Sequence, residues 1–368
     1  SDGTTIDADT DGNGTGNGRG INIQPSLTVV LENLNIINAD TSGYGAGVFG
    51  GNGSQVTATN VNIYNNASTS IGGGVFLYGA TATFSNSNIH NNLAVSGAGV
   101  YGMLFNEIAS VLNLTSYADI DNNNALTGSG YGGGLFLDQS TASLADCSDI
   151  FSNDAILGGG AYLFTSTLTM AGSCSEIDSN TATGNGGGIY AVTSIVNLDE
   201  DAELYYNRAG AGGGAGNGGG AYLDDSTLWG DKAQIHYNTA TSSGGGVYAT
   251  NTSLLDMDLG SYTCTGPRCS RLSNNTALSL YGGGAYAIGS SVVDLRQVFI
   301  ESNSASFAGG VYVYQSTLNL YNSLLARNDA SDGVGDALRI YTGASLNGSH
   351  NTLANNDAGG ATSGVAIS

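Results

Sequence analysis

Gly72-Gly73-Gly74-Val75-Phe76-Leu77 returns along the chain as Gly132-Gly133-Gly134-Leu135-Phe136-Leu137 and Gly158-Gly159-Gly160-Ala161-Tyr162-Leu163. Further copies start at Gly186, Gly218, Gly244 and Gly282. Measured from the last glycine, with weaker copies at Gly20, Gly47, Gly99, Gly310, Gly335 and Gly364 included, the spacings are 27, 27, 25, 35, 26, 28, 32, 26, 38, 26, 25 and 29. A period in the high twenties marks a solenoid, in which each coil packs on its neighbours. Residues 1–368 therefore read as a single domain.

A second mark accompanies the glycines: an aliphatic residue three before an asparagine, with alanine two after it. Ile89, Asn92 and Ala94 carry it, as do Ile150, Asn153 and Ala155, and the pattern continues to Leu353, Asn356 and Ala358. Short β-branched runs divided by Gly, Asn and Asp read as strands and turns. No stretch holds a 3.6-residue period, so helix should be nearly absent. Asparagine tolerates left-handed backbone and bonds neighbouring peptide groups, which predicts stacked amides at one corner. Glycine belongs where the chain turns too tightly for a Cβ. The expected fold is an all-β, right-handed parallel β-helix with three short strands per coil and about thirteen coils. Excess residues around 103–110, 208–217 and 256–271 should bulge outward as loops.

Lys+Arg 8 against Asp+Glu 30 gives a net charge of -22. Such a surface repels phosphates, which argues against a nucleic acid partner. No apolar run approaches the ~20 residues that cross a bilayer, so this segment is not expected to insert in a membrane. The start, Ser1-Asp2-Gly3, lacks the basic and apolar regions of a signal peptide. The chain reads as processed or excised from a longer exported protein.

Gly159-Gly160-Ala161 together with the Ile150-to-Asn153 corner resembles the repeats of chlamydial polymorphic outer membrane proteins and, more widely, pectin-lyase-like β-helices of bacterial surface proteins. The likeness covers about residues 20–358, with Ile or Leu where the family favours Phe before the asparagine. It implies an exported, surface-displayed adhesive or structural solenoid.

Register predicts which side chains meet. Cys147 and Cys174 each lie three before a corner isoleucine, so they share a column on adjacent coils. Adjacent strands are ~4.8 Å apart, within disulfide reach, and a Cys147–Cys174 bridge is expected. Cys264 and Cys269 are close enough in one loop for a second bridge, implying an oxidising compartment. The residue two after each glycine corner should point outward, lining up Phe49, Phe76, Tyr101, Phe136, Tyr162, Tyr190, Tyr222, Tyr248, Tyr286 and Tyr312. These rings either stack on one another or form an apolar strip for sugar rings or a partner protein.

Asp7, Asp9, Asp11 and Asn13 resemble the opening of a calcium loop, but Gly18 stands where the closing glutamate belongs, so a plain acidic turn competes with a calcium site. No other cofactor is expected. Asp224-Asp225 and Asp199-Glu200-Asp201 are the obvious carboxylate clusters for sugar hydrolysis. Lys232 is the lone lysine, and no serine has a histidine and carboxylate in register for a triad among His90, His236 and His350. The expectation is a non-catalytic extracellular solenoid, adhesin-like or a scaffold, at the cell surface. Its partners would be glycan or protein surfaces, or neighbouring copies stacked end to end into filaments. The alternative is a polysaccharide-binding or polysaccharide-cleaving β-helix enzyme.

Overall fold

The computed structural model describes residues 3–9, 16, 18–125, 128–172, 174–258, 269–332, 334–356 and 364–367. The chain divides into two compact units, Ser1–Asn180 and Thr181–Ser368. Each is an all-β parallel solenoid of the right-handed type.

In the first unit the strands after the glycine corners, Ile21–Ile23, Val48–Gly50, Val75–Tyr78, Val100–Met103, Leu135–Asp138 and Ala161–Phe164, stack in order as six rungs. The second unit contributes seven, from Ile189–Val192 to Val365–Ile367. Each coil continues through a Thr/Ser-rich strand such as Thr167–Ala171 or Thr227–Gly230 and an aliphatic one such as Asn88–His90 or Gln234–His236. A two-residue strand follows most asparagine corners, as at Asp154–Ala155 and Thr239–Ala240, in addition to the three expected. Among the described residues the one helical element is a 3-10 turn at Ala211–Gly213, inside an expected outward loop.

Strand alternation builds the core. Phe84, Leu114, Leu144 and Met170 face inward from one column of stacked strands in the first unit, and Ile63, Ile89, Ile120 and Ile150 from the next column of the same sheet. Burying each such side chain contributes about 1.5–3 kcal/mol. Gly72 has φ 68°, open to glycine at little cost. A Cβ on Gly74 would lie 2.6 Å from the Gly99 carbonyl oxygen and 2.8 Å from both the Asn92 amide nitrogen and Ile89 Cγ2. The glycine corner is therefore glycine because the next coil and the asparagine corner close on it.

The asparagine corner is a buried ladder. Asn66, Asn92, Asn123 and Asn153 each donate Nδ2–H to Oδ1 of the next asparagine at 3.0 Å, ending on Asn180. In the second unit the line runs Asn207, Asn238, Asn275, Asn303, Asn328 and Asn356 at 2.9–3.1 Å. Left-handed backbone falls one residue earlier, on Asn65, Asn91 and Asn122 but also on Tyr206, Tyr237 and Arg327. The ladder residue is asparagine for its amide, not for its backbone. A serine ladder that the sequence reading missed runs alongside, with Ser110 N–H on Ser140 Oγ and Ser140 N–H on Ser166 Oγ.

Candidate functional site

The aromatic residues two after the glycine corners do stack, rung on rung. In the first unit Phe49, Phe76, Tyr101, Phe136 and Tyr162 have successive ring centroids 5.5, 5.6, 4.4 and 4.9 Å apart. In the second, Tyr190–Tyr222 and Tyr222–Tyr248 lie at 4.7 and 4.9 Å with planes 8° and 6° apart. Tyr248–Tyr286 and Tyr286–Tyr312 follow at 5.2 and 5.4 Å but tilt to 58° and 60°. Arg339 takes the next slot, its guanidinium 5.9 Å from the Tyr312 ring centre.

Of the two alternatives, stacking is the arrangement these rings adopt. Parallel rings occupy each other's faces, so edges and hydroxyls are what remain toward solvent. Phe76 is fully buried, and Phe136, Tyr286 and Tyr312 are 8, 6 and 5 % exposed. A second set of rings covers them: Tyr44 on Phe76, Tyr131 on Phe136 and Tyr162, and Tyr281 on Tyr286 and Tyr312. Tyr44, Tyr131 and Tyr281 each stand directly before a glycine corner, a recurrence visible in the sequence but not used. Burial, then neighbouring tyrosines, pushes the Tyr222 hydroxyl up, and burial pushes Tyr312 up to about 12, so both stay protonated.

Cys147 and Cys174 are disulfide-bonded, with Cα atoms 4.6 Å apart, as register required. Cys269 is also in a disulfide. Cys264 lies outside the described residues, as do Asp11 and Asn13 of the acidic turn. Of that turn's other members, Asp7 accepts from the Asp9 backbone at 3.0 Å and from Asn38 Nδ2 at 3.2 Å.

The carboxylate clusters separate by neighbour. Asp224 accepts from Asn251 and Asp225 from Thr252, both at 2.7 Å across one coil. His236 Nε2 lies 3.0 Å from Glu203, and His90 stacks on Tyr64 at 4.9 Å. His350 contacts Ser349. Asp199 joins Asp231, Asp256 and Asp258 around a cavity of about 270 Å³ that Trp229 also lines. An unforeseen acidic column, Asp119, Asp149 and Glu176, runs up the first unit, with Asp149 and Glu176 donating backbone N–H to the carboxylate one coil before. Desolvation first, opposed by that hydrogen bond and reinforced by neighbouring carboxylates, lifts Asp149 to about 7. Among the described residues no three of His, Cys, Asp and Glu are placed to hold a metal ion, and no helix is long and apolar enough to cross a membrane.

Comparison with family models, curated proteins and solved structures returns no match. The reading of this surface therefore rests on its own register.

Proposed function

We propose that the chain is a non-catalytic, exported surface solenoid that adheres to glycan or protein surfaces through groups fixed at one-coil intervals. The observation that carries this is the pinned outer column, in which Tyr190, Tyr222 and Tyr248 are immobilised by stacking at 4.7 and 4.9 Å with their edges outward. Rigid aromatic groups with a polar tip lose little conformational freedom on contact. The Cys147–Cys174 disulfide supports an oxidising, extracellular setting. The repeat resemblance to polymorphic outer membrane proteins and pectin-lyase-like surface helices supports the same reading. Glycan and protein arrays probed with wild type and with Tyr190→Ala/Tyr222→Ala test it: the variant should lose at least tenfold in binding, and unchanged binding to every target would refute the column's role.

Polysaccharide cleavage is the second reading, favoured by Asp256, a carboxyl that desolvation and then Asp294 and Asp258 lift to about 6 beside exposed Trp229. Release of reducing ends from a polysaccharide panel would establish it, with Asp256→Asn abolishing the release.

A further inference from the structure

Trp229, unlike the rings of the glycine-corner column, has no stacked ring beside it among the described residues. It lies in strand Thr227–Gly230, where Leu228 and Gly230 are buried, so the indole projects outward and is 44 % exposed. Its register neighbours are Asn197 and Asp256, neither of them aromatic. The cavity beside it, about 270 Å³, is lined by Asp199, Gly230, Asp231, Asp256 and Asp258. That is room for about one ring, below the ~300–1,000 Å³ typical of drug-sized sites.

Two oxygens in this lining are unmatched: Asp231 Oδ1 and Asp256 Oδ1 are buried and accept no hydrogen bond. Both side chains are part-exposed, so an arriving ammonium meets the open edge of each carboxylate and offsets the charge held beside its buried oxygen. Arg296 lies 2.9 Å from Asp294 and 3.6 Å from Asp258, and its charge partly offsets the rise at Asp256. Burial, then repulsion from Asp231 and Glu200, raises Asp199, and burial, then repulsion from Asp294 and Asp258, raises Asp256, so added positive charge would stabilise both carboxylates. An indole is also the side chain that best faces a cation or the apolar face of a sugar ring.

We propose that the notch beside Trp229 binds a cationic amino sugar, a pyranose carrying a free ammonium group, with the ring on the indole and the ammonium donating to Asp231 and Asp256. The inference rests on the adhesive reading and names the glycan class this site selects. Neutral sugars lack the charge, and uronic acids are repelled by the same carboxylates.

Trp229 is the sole tryptophan of the chain, so its emission reports this site in the intact protein. Titration with a fully deacetylated glucosamine hexamer near neutral pH should give a saturable change in emission. The N-acetylated hexamer should need at least tenfold more ligand, and hexagalacturonate should give no change. Asp256→Asn and Asp231→Asn should each raise the midpoint tenfold or more. By calorimetry, Trp229→Leu should bind the deacetylated hexamer at least tenfold more weakly. A silent indole, equal binding by the Asp256→Asn and Trp229→Leu variants, or an equal response to an oligolysine peptide would overturn the proposal. Array binding by the same preparation separates the two readings. Adhesion that persists with a silent indole sinks the amino-sugar site alone, and loss of all adhesion sinks the function.

Discussion

Tyr222 and Trp229 stand seven residues apart on one coil, both on outward faces, yet they have opposite fates. Tyr222 has Tyr190 and Tyr248 in register and is half-buried between parallel rings. Trp229 has Asn197 and Asp256 in register and stays exposed beside a cavity. They sit on different strands and carry different rings, but the difference that decides their exposure is what lies one coil away. In a solenoid the neighbour a full period off decides whether an outward aromatic stabilises the stack or is left for a ligand.

The interior ladder sets the largest effect against which both faces can be judged. Asn238 donates to Leu204 O at 2.8 Å and Asn275 Oδ1 at 3.0 Å, and accepts from Asn207 N–H and Nδ2–H at 3.0 and 3.1 Å. Asn238→Ala strands several of these groups in the core at about 1–3 kcal/mol each. The predicted loss in urea unfolding is therefore at least about 3 kcal/mol. Tyr222→Ala removes two stacked neighbours and half-buried surface, for about 2–3 kcal/mol. Trp229→Ala should cost less than about 1 kcal/mol, as for exposed sites generally. Equal losses at Tyr222 and Trp229 would break the comparison.

The smallest effect is electrostatic and sharpens the notch. Asp256 titrates near 6 in the fold, above the ~3.9 of an unfolded aspartate. The stability of its neutral form is fully present below about pH 4 and is lost as pH rises through about 6. Asp256→Asn should accordingly melt above wild type at pH 7, with the gap closing as pH falls to about 4. A gap that widens on acidification would reverse the assigned cause.

Much of this was legible in the sequence. The glycine period, the Ile89–Asn92 and Ile150–Asn153 corners and the shared column of Cys147 and Cys174 each repeat often enough to fix the coil and its register. The ten ladder aromatics were also placed, but their exposure was not. Phe76 is buried because Tyr44, from the turn before an earlier glycine corner, closes over it. The Trp229 notch was hidden for a related reason. Asp199, Asp231 and Asp256 fall on three successive coils whose lengths differ, so no local window brings them to the indole. The serine ladder was missed because serine is abundant in every turn, and only the hydrogen bond from one corner to the next marks Ser140 and Ser166.

A double-mutant cycle tests the neighbour rule most directly. Single and paired leucine replacements at Tyr190 and Tyr222, followed by unfolding, should return a coupling of about 0.5–1.5 kcal/mol. The matching cycle at Asn197 and Trp229 should fall within about 0.5 kcal/mol of zero. Coupling absent from the tyrosine pair, or as large in the tryptophan pair, would contradict the account.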